Sequence, residues 1–240
     1  ALGADDSAQQ HSVNVTADSD LDLEANMPFS ASLSGFDISV YHVSTNIGKT
    51  VTEASIGGEV LSYQDIKAEA NDKIKAYADI ELMSVSIGEA GLNWAQNNIG
   101  SQNVTAEVLD GAKLTAWGDI DILAASDLDL QAGIETYTAS LASVGGMETK
   151  DSIKERNVRT RIGDGVTMKS VLGNISVKAQ AEDTISSNTT GSAISIVDGG
   201  GDPEAKIEYH ADIETIVGNG TSIEAIYGNV DVRSELDSDL

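Results

Sequence analysis

The sequence predicts an all-β fold, a parallel β-solenoid in which short strands and sharp corners repeat along one axis. The chain repeats itself, with similar segments starting at Val51, Val104, Val158 and Ile213 and a partial copy at Val13. Within each copy, apolar and polar residues alternate with a period of two, which indicates strands with one buried face. Glycine next to asparagine or aspartate separates the strands, and such pairs are typical of tight turns.

The last strand of each copy defines the repeat length. Its first residues, the repeat anchors, follow one another at nearly equal intervals: Val13, Ile66, Ile120, Ile175 and Val230. A fixed period of this kind, about 54 residues, indicates a repeat architecture. We therefore predict that residues 1–240 form a single continuous solenoid segment. The chain lacks an initial Met and starts and stops inside a repeat, so we expect it to be a slice of a longer protein.

The number of coils in each repeat follows from how the strands divide it. Two coils of about 27 residues or three of about 18 residues would both fit a stacked repeat architecture. We predict two coils, because the strand block that carries the anchor fills one half and a plainer half follows it. At about 4.8 Å per coil, two coils per repeat give about nine coils and a rod about 43 Å long.

Two features of the repeat predict how the copies stack. The third inward position of the anchor strand is Ala in four copies and Ser in the fifth, as expected for a column of small residues. Corners are predicted before the anchors and again earlier in the repeat, and three of them contain the pairs Asp110-Gly111, Gly163-Asp164 and Gly218-Asn219.

Composition limits the function classes. The chain has 14 basic and 39 acidic residues, a formal charge of −25, which disfavours nucleic acid and anionic membranes as partners. The sequence contains no apolar run of about 18 residues, so we predict no membrane insertion. It also lacks cysteine, which excludes disulfides and thiolate metal sites. An acidic surface of this kind suits an extracellular or high-salt setting, and we predict a secreted, extracellular protein.

Residues 160–179 read TRIGDGVTMKSVLGNISVKA, and this segment carries a family resemblance. It is similar to the repeats of leukotoxin-type, filamentous-haemagglutinin-like giant surface adhesins, which follow A-x-I-G-x-G-A-x-V-x-A-x-G-D-V-x-V-x-A, with a two-residue variation. The similarity extends over four units and a remnant. It implies a right-handed parallel β-helix, export to the cell surface and a role as fibre or adhesin, and it carries over no catalytic residue.

Basic residues concentrate between positions 150 and 169. Four of them form a candidate contact patch for the acidic face of a second rod or for an anionic glycan: Arg156, Arg159, Arg161 and Lys169. The alternative is ion pairing within the chain, with Glu148, Asp151 and Glu155 as partners.

Acidic residues recur in register, and one predicted column reads Asp20, Lys73, Asp127, Glu182, Asp237. Because Ca²⁺ binds several carboxylate and carbonyl oxygens, such columns make a Ca²⁺ site one interpretation. The lysine relieves repulsion between stacked carboxylates, so we favour a solvated face and predict no cofactor.

Other candidate residues give weaker signals. The three histidines do not recur in register, which disfavours metal or base roles. Trp94, Trp117, Tyr137 and Tyr227 could stack on sugars, but corner packing is the favoured interpretation. The insertion at residues 198–203 could be a ligand loop or a tolerated surface loop.

These observations predict a structural or adhesive segment of a secreted cell-surface filament, and not an enzyme. Expected partners are the same protein, as a continuing chain or as end-to-end or lateral rods, and a glycan or protein on a host or neighbouring cell. One alternative is a β-helical polysaccharide-active enzyme, which would need two carboxylates about 5–9.5 Å apart in one cleft. A second alternative is a passive acidic matrix or surface-layer protein.

Overall fold

The computed structural model describes residues 11–199 and 202–240 of the chain. This part contains ten strands and no helix: β1 (Val13–Ile56), β2 (Glu59–Ser62), β3 (Ile66–Val108), β4 (Lys113–Ala116), β5 (Ile120–Ile162), β6 (Thr167–Ser170), β7 (Ile175–Asp198), β8 (Glu204–Val217), β9 (Ser222–Ala225) and β10 (Val230–Asp239). The predicted all-β class is confirmed.

All strand pairs are parallel and fall into two stacked sheets. The larger sheet has the order β1-β3-β5-β7-β10, with β8 also paired to β5, and the smaller has the order β2-β4-β6-β9. The five repeat anchors lie in one ladder, Val13 beside Ile66, then Ile120, Ile175 and Val230. The predicted parallel β-solenoid and its repeat register are therefore confirmed, whereas its handedness stays a prediction.

Each repeat forms one coil, and the prediction of two coils is wrong. Ile66 pairs with Ile120 and Val104 pairs with Val158, one whole repeat further on in both cases, whereas two coils would pair residues half a repeat apart. We number the coils from their anchors: residues 13–65 are coil 1, 66–119 coil 2, 120–174 coil 3, 175–229 coil 4, and coil 5 begins at Val230. Five stacked levels span only about 20 Å along the axis, and not about 43 Å.

The second half of each repeat is not another coil because it folds back onto the first half. In coil 2 the Gln102 Nε2 atom donates a hydrogen bond to Asp72 Oδ2 at 2.5 Å, and Ile80 packs in one cluster with Ala95. Both pairs are centred on residues 87–88, which we call the tip of the coil. Each coil is thus a flattened loop with an outgoing and a returning half, each about 70 Å long.

The interior between the two halves alternates between apolar and polar layers. The largest apolar cluster lies at the base, where the small sheet closes the coil, and includes Ile66, Val104, Leu114, Ile120 and Val158. A second cluster contains Ile74, Ile99, Leu128 and Ile153, and a third, closer to the tip, contains Ala78, Ile80, Ala95 and Ile134. Burying each of the large side chains stabilises the fold by about 2 kcal/mol.

The predicted glycine corners are also confirmed. Four glycines have a positive φ, at the same corner of four successive coils: Gly58 at 76°, Gly111 at 69°, Gly165 at 65° and Gly220 at 68°. Only glycine adopts this left-handed conformation without a steric cost. The corner therefore fixes where the chain leaves the large sheet for the small one.

We expect Gly111→Ala to lower the free energy of unfolding by about 1–2 kcal/mol, because a Cβ atom disfavours the left-handed conformation. The added Cβ atom does not clash with neighbouring residues, since nothing lies within 4 Å of it. Urea denaturation followed by circular dichroism measures the change. Gly48→Ala is the matched control: this strand glycine also has an open surrounding but no left-handed φ. Equal losses of unfolding free energy in both variants would show that the left-handed φ of Gly111 is not the cause.

Candidate functional site

The exposed members of the predicted contact patch lie on the outer face of coil 3, paired with carboxylates of adjacent coils. Arg159 Nε lies 3.1 Å from Glu214 Oε1 of coil 4. Arg161 contacts Glu107 and Asp110 of coil 2, with Nη2 at 3.1 Å from Asp110 Oδ1. The Glu107 carboxylate raises the pKa of Arg161. The neighbouring coils, and not the three carboxylates expected from the sequence, supply the partners.

Lys169 of the same patch lies on β6, where its Nζ atom is 3.6 Å from Glu224 Oε2 of coil 4. Between 37 and 43% of the side-chain surface of Arg159, Arg161 and Lys169 is exposed. Exposed ion pairs contribute at most about 1 kcal/mol each, so these side chains remain free to exchange partners. A contact role for the three exposed residues stays a prediction.

Arg156 is not part of this surface, and its assignment to the patch is wrong. It lies inside the coil with none of its surface exposed. Its inward position agrees with the period-two alternation, because Arg156 has the same parity as the buried Val158 and Thr160, whereas Arg159 and Arg161 have the opposite one. The predicted patch was chosen because its residues are close in sequence, and it therefore combined residues of the inner face with residues of the outer face.

Arg156 belongs to a buried polar layer, which we call the arginine layer: Asp72, Gln102, Ser126, Arg156 and Asp183. Arg156 forms an ion pair with Asp183 of coil 4 and donates to Ser126 Oγ at 2.9 Å. Gln102 donates to Ser126 Oγ at 2.9 Å and to Asp72. Burial lowers the pKa of Arg156, and the ion pair compensates the charge. The layer joins three coils through their interior.

A second polar layer, the asparagine layer, lies between the middle and distal apolar clusters. Asn97 Nδ2 donates to Asp151 Oδ1 at 2.8 Å and to the Gln131 carbonyl at 2.7 Å, and Thr45 Oγ1 donates to Asn97 Oδ1 at 2.5 Å. Asp151 is only 1% exposed. Burial raises its pKa to about 6, with a further increase from the charge of Asp79. This carboxyl therefore changes charge near neutral pH.

The acidic column aligns as predicted, from Asp20 through Lys73, Asp127 and Glu182 to Asp237. Lys73 Nζ lies 2.9 Å from Asp127 Oδ2, as expected if the lysine offsets carboxylate repulsion. Residues 11–199 and 202–240 contain no group of three or more His, Cys, Asp or Glu side chains placed to hold a metal ion. The expectation of no cofactor stays a prediction, with a Ca²⁺ site as its alternative.

The aromatic residues occupy several surroundings. His42 and Trp94 stack edge to face across coils 1 and 2, with ring centroids 6.4 Å apart. Trp117 and Tyr227 are 46% and 78% exposed at their corners, so neither is packed into the core. Of the insertion, residues 200–201 lie outside the described residues, and Asp202 and Pro203 line a cleft near the tip.

This distal cleft is a site that the sequence reasoning missed. It has a volume of about 280 Å³ and lies between the outgoing and returning halves of coils 2 to 4, and its polar lining includes Ser84, Glu89, Asn93, Thr136 and Thr138. Burial raises the pKa of Glu89, and Thr138 Oγ1 lies 3.5 Å from Glu89 Oε1. The available signal was a change in the inward columns, from Ile, Val and Ala at the base to Ser, Thr and Gly near the tip.

No helix in the described part of the chain is long and apolar enough to cross a membrane. Comparison with protein-family models, with curated proteins and with solved structures finds no match. The resemblance to giant adhesins therefore stays a prediction that rests on the repeat motif.

Proposed function

We propose that this chain is a structural and adhesive segment of a secreted cell-surface filament. The observation that carries the proposal is the in-register stacking of successive coils, in which each anchor pairs with the next anchor in one continuous parallel ladder. Such a ladder transmits load along the axis through backbone hydrogen bonds, and each coil contacts only its neighbours. The side chains on the outer faces are then free to vary without disturbing the stack.

The tip supports an interactive role. Large apolar side chains lie exposed along it in four successive coils: Leu33, Phe36, Ile38, Val85, Ile87, Leu141, Val144, Ile194, Ile196 and Val197. Contiguous exposed apolar surface is typical of interaction sites. We propose that this edge and the exposed basic residues contact neighbouring rods or a glycan or protein of another cell.

Imaging native material tests the proposal. An antibody raised against this chain should label continuous filaments at the cell surface when bound antibody is viewed by electron microscopy. Labelling of an amorphous layer would instead favour the passive matrix protein, and labelling of dispersed single particles would overturn the filament proposal.

The polysaccharide-active enzyme is the second candidate, favoured by the raised pKa of Glu89 inside a cleft, since a carboxyl of this kind can serve as a general acid. Release of reducing ends from a polysaccharide, abolished by Glu89→Gln, would support the enzyme. Equal background rates for both proteins would leave the filament as the better proposal.

The exposed basic residues give a separate prediction. Replacing Arg159, Arg161 and Lys169 by Ser should leave folding nearly intact, since exposed ion pairs contribute little, and should abolish lateral association of rods measured by sedimentation velocity. The matched control replaces three exposed basic residues elsewhere, Lys49, Lys113 and Arg233, and changes the net charge equally. Identical association of the two triple variants would refute a role for the patch.

A further inference from the structure

The distal cleft exists because the inward columns become small near the tip. On the outgoing half, Ser84 stacks on Thr138, and on the returning half Gly91 stacks on Gly145. At the base, the buried columns consist mainly of Ile, Val, Leu and Ala, and these apolar side chains pack into one cluster. Near the tip, side chains of Ser, Thr and Gly leave an open space between the two halves. The space is therefore built into three successive coils.

Two side chains that line this space each carry a buried polar atom without a hydrogen-bond partner among the described residues. Asn93 lines the cleft, is 8% exposed, and has an unpartnered Oδ1. The Oε2 atom of Glu89, also in the lining, is unpartnered as well. Buried polar atoms in native proteins are normally satisfied, so this cluster indicates a missing polar occupant.

The atoms define the chemistry of that occupant. The amide oxygen of Asn93 and the carboxylate oxygen of Glu89 accept hydrogen bonds, so the ligand must donate them. The hydroxyls of the lining already donate within the protein, Ser84 to Asp37, Thr136 to Met147 and Thr138 to Glu89, so their oxygens are left to accept. A molecule with several hydroxyl groups supplies the donors that these acceptors need. The net charge of −25 disfavours an anionic ligand, and a cleft of about 280 Å³ is just below the usual range for drug-sized ligands. A single neutral sugar ring fits these limits.

We propose that the distal cleft binds one neutral sugar residue, with Asn93 Oδ1 and Glu89 Oε2 accepting hydrogen bonds from its hydroxyl groups. The inference rests on the proposed function and deepens it, because it names a glycan as the partner of the filament and places the contact at the tip. One such cleft spans three coils, so its geometry depends on their register.

Saturation-transfer NMR with the whole chain tests the proposal, using the methyl glycosides of glucose, galactose and mannose and free N-acetylglucosamine as probes. We expect at least one probe to bind with a millimolar dissociation constant. Asn93→Met removes the acceptor and introduces the residue that stacks on it in coil 3, Met147. It should weaken binding at least tenfold, since an interaction with a buried acceptor is lost. Asn98→Ala, on the outward face of the same strand, should bind normally.

The proposal is overturned if no probe binds at 100 mM, or if Asn98→Ala weakens binding as much as Asn93→Met. It is also overturned if only a cationic probe, glucosamine, binds, because the site would then be an amine site. Circular dichroism verifies that each variant folds. If Asn93→Met does not fold, Glu89→Gln, at a partly exposed residue, replaces it and should weaken binding; unchanged binding in that variant overturns the proposal. Filaments without sugar binding would contradict this inference alone, whereas sugar binding by a protein that forms no filament would contradict only the proposed function.

Discussion

Replacing Arg156 by methionine lowers the free energy of unfolding by about 3–5 kcal/mol, the expected cost of leaving one member of a buried ion pair without its partner. Asp183 is 2% exposed, so the variant leaves its carboxyl group buried without its cationic partner, although the Tyr209 hydroxyl still donates to it. Ser126 Oγ would also lose one of its two donors. This is the largest loss that we expect from any single substitution in the chain.

Urea denaturation of the wild type and of Arg156→Met, followed by circular dichroism, measures the effect. The matched control is the double variant Arg156→Gln with Asp183→Leu, which copies the residues that the neighbouring coils carry in the same columns, Gln102 and Leu128. Its stability should return to within about 1 kcal/mol of the wild type, because removing both charges together is often neutral. A double variant as unstable as the single one would show that the charge pair is not the cause.

Asp151→Asn has the second largest expected effect, and it is stabilising. Burial raises the pKa of Asp151 from 3.8 to about 6, so the folded state binds this proton more tightly than the unfolded state. The stability that protonation provides is complete below about pH 4 and is lost as the pH rises through about 6. At pH 8 the charged carboxylate therefore costs about 3 kcal/mol, which a neutral asparagine avoids.

Thermal unfolding of the wild type and of Asp151→Asn at pH 4, 6 and 8 checks this expectation. The gain in stability should be largest at pH 8 and close to zero at pH 4. Glu155→Gln, at an exposed residue of the same strand, is the control and should show no such trend. A gain that does not depend on pH would rule out titration of Asp151 as its origin.

The local elements of this fold could be predicted from the sequence. The anchors Ile66, Ile120 and Ile175 start alternating strands, and alternation by itself specifies the buried face. Gly111 and Gly165 have a positive φ. The aspartate next to each of them in the sequence indicates a tight turn at that place. These properties depend on a few adjacent residues, and no tertiary contact is needed to recognise them.

The number of coils per repeat could not be predicted in this way. Pairing at half a repeat and pairing at a whole repeat give the same alternation, and only the fold-back at the tip distinguishes them. That fold-back has no strong turn signal: in coil 2 it lies at Ile87 and Gly88, inside the uninterrupted strand β3. The closure of a coil is decided by contacts between its halves, such as the one from Gln102 to Asp72.

The buried site residues were within reach of the sequence, although the distal cleft was harder to find. Parity places Arg156 on the inner face, and Asp183 follows Leu21, Ile74 and Leu128 in a column that continues to Ser238. Two opposite charges at inward positions of adjacent coils predict a buried pair. The cleft depends on how far the two halves stand apart near the tip, a distance that residue types alone do not specify.

One coil for each repeat also decides how a stack of such coils deforms. The two halves of a coil are each about 70 Å long and face each other at about 10 Å, so a stack of coils is a slab several times wider than it is thick. Because bending stiffness rises steeply with the dimension that lies in the plane of bending, the slab resists bending within its broad plane more strongly than bending out of it. The stack therefore bends easily towards either of its broad faces and hardly at all towards the tip edge. A partner bound to a broad face follows this bending, whereas a partner bound along the tip edge contacts a line that stays straight.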